Sequence, residues 1–376
     1  MARPFLLPIL AALALPALAG CGGGSSNAPP PPPSAESQAA ISDAGGAPRE
    51  ALGHAIDALF DDAGVGRTDA LLIYKRGKPI VARYRQGIDA KTRLPGWSMS
   101  QCVTGLMIGQ LVSDGRLRLD ETAPVPAWQR SGDPRGAITL RQLLQMRSGL
   151  RHSETAAGDA ASDRMRMLFL DGRDDMAGYA EAQPMRAVAG STFGYSSATP
   201  VILADLAARA LTPSPNPETR RKAVSDYLRN RVLGPIGMTR VVAEYDRAGT
   251  LIGSSMIHAS APDWARLGDF IRHKGSVGGA QLLPRRWIEF MRRPSPRNPG
   301  YGAQLWLNAP QPDGSDRLWP GWISDQAFGC LGEYGQYLVG SPDQLLTLVR
   351  LGHSEGEQEQ ALHRHLGEML ALFPSN

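Results

Sequence analysis

Ser98 and Gln101 stand three residues apart in the segment GWSMSQCVTG, residues 96–105, which predicts the start of a buried helix. A serine at a helix start lies beside free backbone N–H groups and the positive end of the helix dipole, which can stabilise an oxyanion. Residue i+3 lies on the same face, so a lysine there could accept the serine proton, whereas the amide of Gln101 cannot. Ser98 is therefore a candidate nucleophile without a basic neighbour, or a plain helix N-cap.

Other hydrolytic chemistries find little support in the sequence. The nearest match to a Gly-x-Ser-x-Gly nucleophile elbow, residues 253–257, lacks the second glycine. None of the seven histidines forms a His-Glu-x-x-His pair, and His363 and His365 are two apart on a predicted helix, so they point to different faces. We therefore expect neither a metal ion nor an organic cofactor.

The periodicity of apolar residues predicts the elements that must position Ser98. A helix over 51–61 precedes a β-hairpin with strands at 71–74 and 80–84, and Gly77 supplies the positive φ of its turn. Further helices are predicted over 98–113, 140–146, 262–273 and 360–373, and further strands over 301–307, 334–340 and 345–351.

This order predicts an α+β fold, in which one antiparallel sheet is built from both ends of the chain and flanked by helices. The middle of the chain then forms a mainly helical subdomain, and a cleft between the two parts is the natural ligand site. We expect the folded domain to span residues 49–376.

Charge and composition exclude one class of partner. The formal net charge is +4, and the short basic runs at 220–222, 285–286 and 292–293 are far apart and lack interleaved aromatic residues. Solvated surface charge explains them better than a nucleic-acid-binding face, so no nucleic-acid partner is expected.

The N-terminus predicts export and anchoring. Arg3, an apolar run over 5–19 and the small residues before Cys21 resemble a bacterial lipoprotein signal over residues 1–21, with Cys21 as the lipidated residue; an ordinary secretory signal is the alternative. Gly22 follows the cysteine, which favours the outer membrane of a Gram-negative bacterium and a periplasm-facing domain. Residues 22–48, rich in Pro, Gly and Ser, predict a disordered tether.

Cys102 and Cys330 are the cysteines that remain. Two cysteines make no disulfide framework, and their surroundings have no structural zinc spacing. They could pair in an oxidising compartment if both lie near one cleft, and the sequence leaves this open.

Several segments in order resemble the serine β-lactamase and penicillin-binding-protein superfamily. They are WSMSQCVTGLMIGQLVSDGRLRLD (97–120), ITLRQLLQMRSGL (138–150), FGYSSATPVILADLA (193–207), VLGPIGM (232–238), GSSMIHASAPDWARLGDFI (253–271) and FGCLGEYGQYLVGSPDQLLTLVRLG (328–352). Within the superfamily the match is similar to the branch of class C β-lactamases, carboxypeptidase-like esterases and 6-aminohexanoate-dimer hydrolases.

The resemblance implies roles for particular residues. It makes Ser98 the acyl-forming nucleophile and Tyr195 the proton-relaying hydroxyl. Ser197, which stands where many relatives have Asn, and Gly329 are expected to bind the substrate. Gly329 aligns with the glycine of the third motif, which makes the backbone N–H of Cys330 the second oxyanion donor. Besides the resemblance, Tyr334 is either a cleft wall or a strand turn, and Trp306 lines an acyl pocket or packs in the core.

The chain departs from the family pattern at its cations. No Ser-x-x-Lys occurs in the 376 residues, and Ala327-Phe328 replace the Lys-Thr of the third motif. The missing lysine of that motif argues against a true β-lactamase. We expect a weak serine hydrolase of a small ester or amide, or alternatively a catalytically impaired module that binds a peptidoglycan fragment or a protein partner.

Overall fold

Strands from both ends of the chain build the central sheet. In the computed structural model, which describes residues 31–158 and 160–375, the strands are β1 (Arg67–Lys75), β2 (Lys78–Tyr84), β3 (Arg93–Pro95), β4 (Val241–Ala243), β5 (Ile257–Ser260), β6 (Ser276–Val277), β7 (Ala280–Gln281), β8 (Trp306–Leu307), β9 (Phe328–Gly332), β10 (Gln336–Ser341) and β11 (Leu346–His353).

The helices cover the sheet and fill the middle of the chain. They are α1 (Ala35–Ala40), α2 (Arg49–Leu59), α3 (Asp62–Val65), α4 (Ser100–Ser113), α5 (Leu140–Leu144), α6 (Asp163–Phe169), α7 (Met176–Glu181), α8 (Ala198–Leu211), α9 (Pro217–Tyr227), α10 (Ala261–Arg272), α11 (Arg285–Met291) and α12 (Glu357–Ala371), with 3-10 turns at Trp97–Met99, Pro126–Trp128 and Pro134–Ala137 and a π-helical turn at Leu228–Leu233. None of the described helices is long and apolar enough to cross a bilayer.

The main sheet has the order β2-β1-β11-β10-β9-β8, and each neighbouring pair is antiparallel. Side chains of β1 alternate between its faces: Leu71 and Ile73 pack with α2 and α12, whereas Ala70 and Leu72 join the large core on the other side. This confirms the predicted α+β architecture with one antiparallel sheet from both chain ends.

Local sequence signals account for several element boundaries. Arg76 and Gly77 both have positive φ in the two-residue turn between β1 and β2, as a type I′ hairpin requires. A capping box between Thr139 and Gln142 begins α5, and the Ser260 side chain caps α10.

Two predicted segments differ in the structure. Of residues 301–307, only Trp306–Leu307 is a strand, because Gln304 has a positive φ that turns the chain. The predicted tether is wrong for its second part: Ser34 caps α1, and Ile41 is buried and bridges Val81 of β2. The predicted signal peptide, Cys21 and the first residues of the tether lie outside the described residues.

Candidate active site

A tight turn presents Ser98. Trp97 adopts a left-handed backbone conformation with φ 47°, and Ser98 lies in the 3-10 turn just before α4 rather than in the predicted helix itself. A Cβ on Gly96 would lie 2.4 Å from the Trp264 ring, so only glycine fits there. Within the described residues the amide of Ser98 donates no backbone hydrogen bond, which leaves it available to a ligand.

Tyr195 lies opposite this turn, just before α8. Its hydroxyl interacts with the Ser98 and Gln101 side chains, so the structure brings together the predicted nucleophile, the relay hydroxyl and the residue in the lysine position. Burial and the negative charge of Glu154 raise the pKa of Tyr195 to about 12, against smaller lowering effects of Ser98, Gln101 and Arg317. Tyr195 is therefore a neutral phenol near pH 7.

Gln101 is buried in a neutral hydrogen-bonded chain. Its Nε2 donates to the hydroxyl of Tyr195 at 2.5 Å, and its Oε1 accepts from the hydroxyl of Tyr301 at 3.4 Å. Only 3% of Gln101 is exposed. The amide thus occupies the site of an ammonium group and satisfies its polar atoms without a charge.

Ser98 and Tyr195 open onto a cleft of about 620 Å³. Trp306 lines it and stacks on Tyr195, with ring centroids 5.4 Å apart, and it also packs in a small buried cluster with Met146 and Tyr301. Its role in an acyl pocket stays a prediction. The guanidinium of Arg317 lies 5.3 Å from the Trp306 ring centroid and places a cation at the cleft. The carboxylates of Glu154, Asp316, Glu333 and Glu359 also line this cleft.

Strand β9 approaches the Ser98 turn through a different glycine from the predicted Gly329. Leu331, Gly332 and Glu333 line the cleft, whereas Gly329 and Cys330 do not. A Cβ on Gly332 would lie 2.3 Å from the carbonyl oxygen of Gly96, so a glycine there lets β9 approach the Ser98 turn. Gly332, and not the predicted Gly329, is therefore the glycine of β9 that lies against the Ser98 turn. The amide of the next residue, Glu333, has no backbone hydrogen-bond acceptor within the described residues.

Cys330 instead forms a disulfide with Cys102, the pairing that the sequence left open. Both residues are 1% exposed. Cys102 follows Gln101 on α4, and Cys330 lies two residues before Gly332 on β9, so the bond joins α4 to β9.

Contrary to the prediction, Ser197 does not line the cleft. It is 1% exposed, and its amide and hydroxyl both donate to the carboxylate of Glu154. Burial raises the pKa of Glu154, but His152 at 2.9 Å and the bonds from Ser197 outweigh this, so the pKa is lowered and Glu154 is ionised. The carboxylate that Ser197 orients, and not Ser197, faces the cleft.

Tyr334 also differs from the prediction of a cleft wall. It lies in the β9–β10 turn with φ 61°, stacks on His353 at 4.4 Å and meets the edge of Trp97 at 5.4 Å. Its alternative reading as a turn residue is correct, and its ring supports the strained residue before Ser98.

Arg164 ties the two walls of the cleft together. Its guanidinium lies 2.7 Å from Glu333 of the β9–β10 turn and 4.0 Å from Glu154. Sequence reasoning missed five residues of this site. Glu154, Arg164, Tyr301 and Arg317 lie outside the quoted motif segments, and Glu333 lies inside the segment 328–352 but was given no role. The sequence signal that could have found Gly332 is the pair of glycines Gly329 and Gly332, since either one can be aligned with the glycine of the third motif.

With this geometry in place, the comparisons identify the family. The β-lactamase family profile matches residues 56–371. The chain belongs to the β-lactamase family. No curated protein matches the sequence.

Solved structures share the fold at low sequence identity. A Bacillus anthracis protein assigned as a 6-aminohexanoate-dimer hydrolase has a TM-score of 0.67 at 20% identity, with 85% of this chain and 83% of that chain covered. A family VIII carboxylesterase has a TM-score of 0.60 at 15% identity, covering 84% and 97%. A penicillin-binding-protein homologue from Caulobacter crescentus has a TM-score of 0.58 at 19% identity, covering 85% and 98%. These likenesses concern the fold.

Proposed function

We propose that this protein is a serine hydrolase that cleaves a small ester or amide through an acyl-Ser98 intermediate, at low efficiency. The observation that carries the proposal is the Ser98 hydroxyl beside that of Tyr195 on an open cleft, where the Ser98 amide has no backbone acceptor among the described residues. A pure binding surface has no need of a nucleophile prepared in this way.

In the first step Ser98 Oγ bonds to the substrate carbonyl carbon, and its proton passes to the ionised form of Tyr195. The carbonyl electron pair moves onto the oxygen, which the amides of Ser98 and Glu333 stabilise. When the tetrahedral adduct collapses, the bond to the leaving group breaks and Tyr195 returns the proton to that group. Water then repeats the sequence on the acyl-enzyme and releases the acid.

The expected efficiency is low because the phenolate form of Tyr195, which acts as the base, is rare at neutral pH. With a pKa of about 12 for Tyr195, only a small fraction is ionised at neutral pH. General-base assistance contributes ~10²–10⁴ in rate, and the oxyanion donors contribute a comparable share that does not need a lysine.

A binding module without turnover is the second candidate, and the neutral Gln101 network favours it. Its ligand would be a peptidoglycan fragment or a protein partner held in the same cleft.

The proposed location is the periplasmic side of the outer membrane, through a lipid on Cys21. The buried Cys102–Cys330 disulfide supports an oxidising compartment. The substrate would reach the cleft as a small molecule, with neither nucleic acid nor a cofactor involved.

Labelling of Ser98 distinguishes hydrolase from binder. The purified protein is incubated with a fluorophosphonate, and the adduct is located by mass spectrometry. We expect slow labelling of Ser98, its loss in Ser98→Ala and an increase of about 10²-fold in Gln101→Lys, because an ammonium group beside Tyr195 lowers the pKa of Tyr195 and increases its ionised fraction. Absence of any adduct after prolonged incubation would favour the binding module.

A further inference from the structure

Tyr301 and Tyr195 lie at opposite ends of the Gln101 amide, and the chemistry of the amide sets the direction of both hydrogen bonds. An amide oxygen only accepts, so the bond at 3.4 Å must be donated by the Tyr301 hydroxyl. An amide nitrogen only donates, so the Tyr195 oxygen must accept the bond at 2.5 Å. The hydrogen of the Tyr195 hydroxyl is then directed away from Gln101 and is free for Ser98.

The reverse orientation of the amide would have the opposite effect. Oε1 would then face Tyr195, whose hydroxyl hydrogen would have to point at the amide and would be lost to Ser98. The Tyr195 oxygen would also lose a donor that stabilises its ionised form. Which end of Gln101 faces Tyr195 therefore decides whether Tyr195 can exchange a proton with Ser98.

Tyr301 is well held for this task. It is 1% exposed, and its ring packs edge-on against Trp306 at 4.9 Å and against Phe193 at 5.4 Å. Within the described residues the Tyr301 hydroxyl is the hydrogen-bond donor to Gln101 Oε1. Among the described residues, the Gln101 side chain has hydrogen bonds to Tyr195 and Tyr301, and the hydroxyl of Tyr195 could accept or donate.

We propose that Tyr301 is a positioning residue for the reaction of Ser98: its hydroxyl holds the Gln101 amide with the nitrogen toward Tyr195. The family has a lysine at this position, whose ammonium group can donate a hydrogen bond to Tyr195. Gln101, held in this orientation, also donates to Tyr195 but carries no charge. The effect on reactivity rests on the proposed function, but the orientation of the amide is a property of the folded protein alone.

A double-mutant cycle tests this role. Tyr301→Phe keeps the ring and removes the hydroxyl, and we expect the rate of fluorophosphonate labelling of Ser98 to fall about threefold to tenfold, the range for a lost buried hydrogen bond. In the Gln101→Lys background the same change should alter the rate less than twofold, because an ammonium donates in every direction and needs no orientation. Equal slowing in both backgrounds would overturn the proposal and indicate a merely structural effect.

Tyr227→Phe is the matched control. Tyr227 is the last residue of α9 and lies outside the cleft, and its hydroxyl donates to Asp114 at 2.7 Å. Removal of this hydroxyl should leave the labelling rate unchanged. Unfolding midpoints of all variants show whether each is folded.

Nuclear magnetic resonance of the Gln101 side chain provides a readout independent of activity. In protein with ¹⁵N-labelled glutamine side chains, Gln101 should give one NH₂ pair protected from exchange, assigned by its loss in Gln101→Lys. In Tyr301→Phe the pair should broaden or exchange faster; an unchanged pair would overturn the proposal. If the native protein forms no Ser98 adduct, the hydrolase proposal fails, and these NH₂ signals still decide the role of Tyr301.

Discussion

At the residue scale, the pKa of Tyr195 is raised because its buried surroundings, which include the carboxylate of Glu154, disfavour a phenolate. Burial is the main cause, and the ionised Glu154 adds to it, whereas Ser98, Gln101 and Arg317 act in the opposite direction. A lysine in place of Gln101 would add a cation at hydrogen-bonding distance. The identity of one side chain therefore sets how much of Tyr195 is available as a base.

The reactivity of Ser98 should rise steeply with pH. Because the pKa of Tyr195 is raised to about 12, its ionised fraction grows about tenfold per pH unit throughout the range below that value. We expect the Ser98-dependent labelling rate to increase about tenfold per unit between pH 7 and 9. Rates are measured against Ser98→Ala, which corrects for background reaction of the reagent; a flat profile would exclude Tyr195 as the base.

At the element scale, the active site depends on how closely β9 approaches the turn before α4. Gly332 permits this contact, and the disulfide holds the same two elements together. On the far side of the turn, the buried Arg350 of β11 donates to the carbonyl oxygens of Tyr334 and Gly335, which fixes the β9–β10 turn. The position of Ser98 relative to the cleft is thus set by contacts of its turn and α4 with β9 and the β9–β10 turn.

Alanine at the two glycines of β9 distinguishes the two registers of the third motif. In Gly332→Ala the new Cβ meets the backbone oxygen of Gly96, so β9 or the Ser98 turn must shift, and labelling should fall ~10²-fold, as expected for displacement by about 1 Å. In Gly329→Ala the Cβ meets only leucine side-chain ends at 3.0 and 3.1 Å, and labelling should change little. The reverse ranking would restore the original assignment.

Loss of the disulfide should destabilise the domain. The bond closes a loop with a sequence separation of 228, and removal of a native disulfide costs about 2–5 kcal/mol. We expect Cys102→Ala/Cys330→Ala to unfold at lower denaturant concentration than the oxidised protein. Native protein treated with a reductant serves as the control and should behave like the double variant; equal midpoints in the oxidised and reduced states would contradict the bond's stabilising role.

At the scale of the whole molecule, the folded unit begins earlier than its apolar periodicity indicates. Asp57 of α2 accepts from the Ser34 amide and the Ser37 hydroxyl, and Arg83 of β2 donates to Ser37. Ile41 is 4% exposed in the core beneath α2 and α12. The segment from Pro33 onward therefore belongs to the domain.

Truncation measures this contribution. A chain that starts at residue 49 loses the burial of Ile41, worth about 1.5–3 kcal/mol, and leaves Asp57 without three of its donors, the amide and hydroxyl of Ser34 and the hydroxyl of Ser37. We expect its thermal midpoint to lie several degrees below that of a chain that starts at residue 31, at roughly 2–4 °C per kcal/mol. Coinciding midpoints would mean that residues 31–48 are not part of the stable fold.

The amino-acid sequence by itself determined the candidate nucleophile, the missing lysine, the main strands and helices and the α+β class. Each of these depends on residue types at short, regular spacings, since apolar periodicity and turn residues act within a few positions. Ser98 and Gln101 lie close together because both stand at the start of the predicted helix, whereas Tyr195, which precedes α8, was proposed from the family resemblance and not from a predicted element.

Only the tertiary structure decided which glycine of β9 touches the Ser98 turn, that Cys102 and Cys330 pair, and that Tyr301 orients Gln101. These contacts join residues about 200 or more positions apart, where no local spacing constrains the distance. The Pro-rich start of the domain was misread for the same reason: its few apolar side chains are buried by distant strands and helices and not by one another.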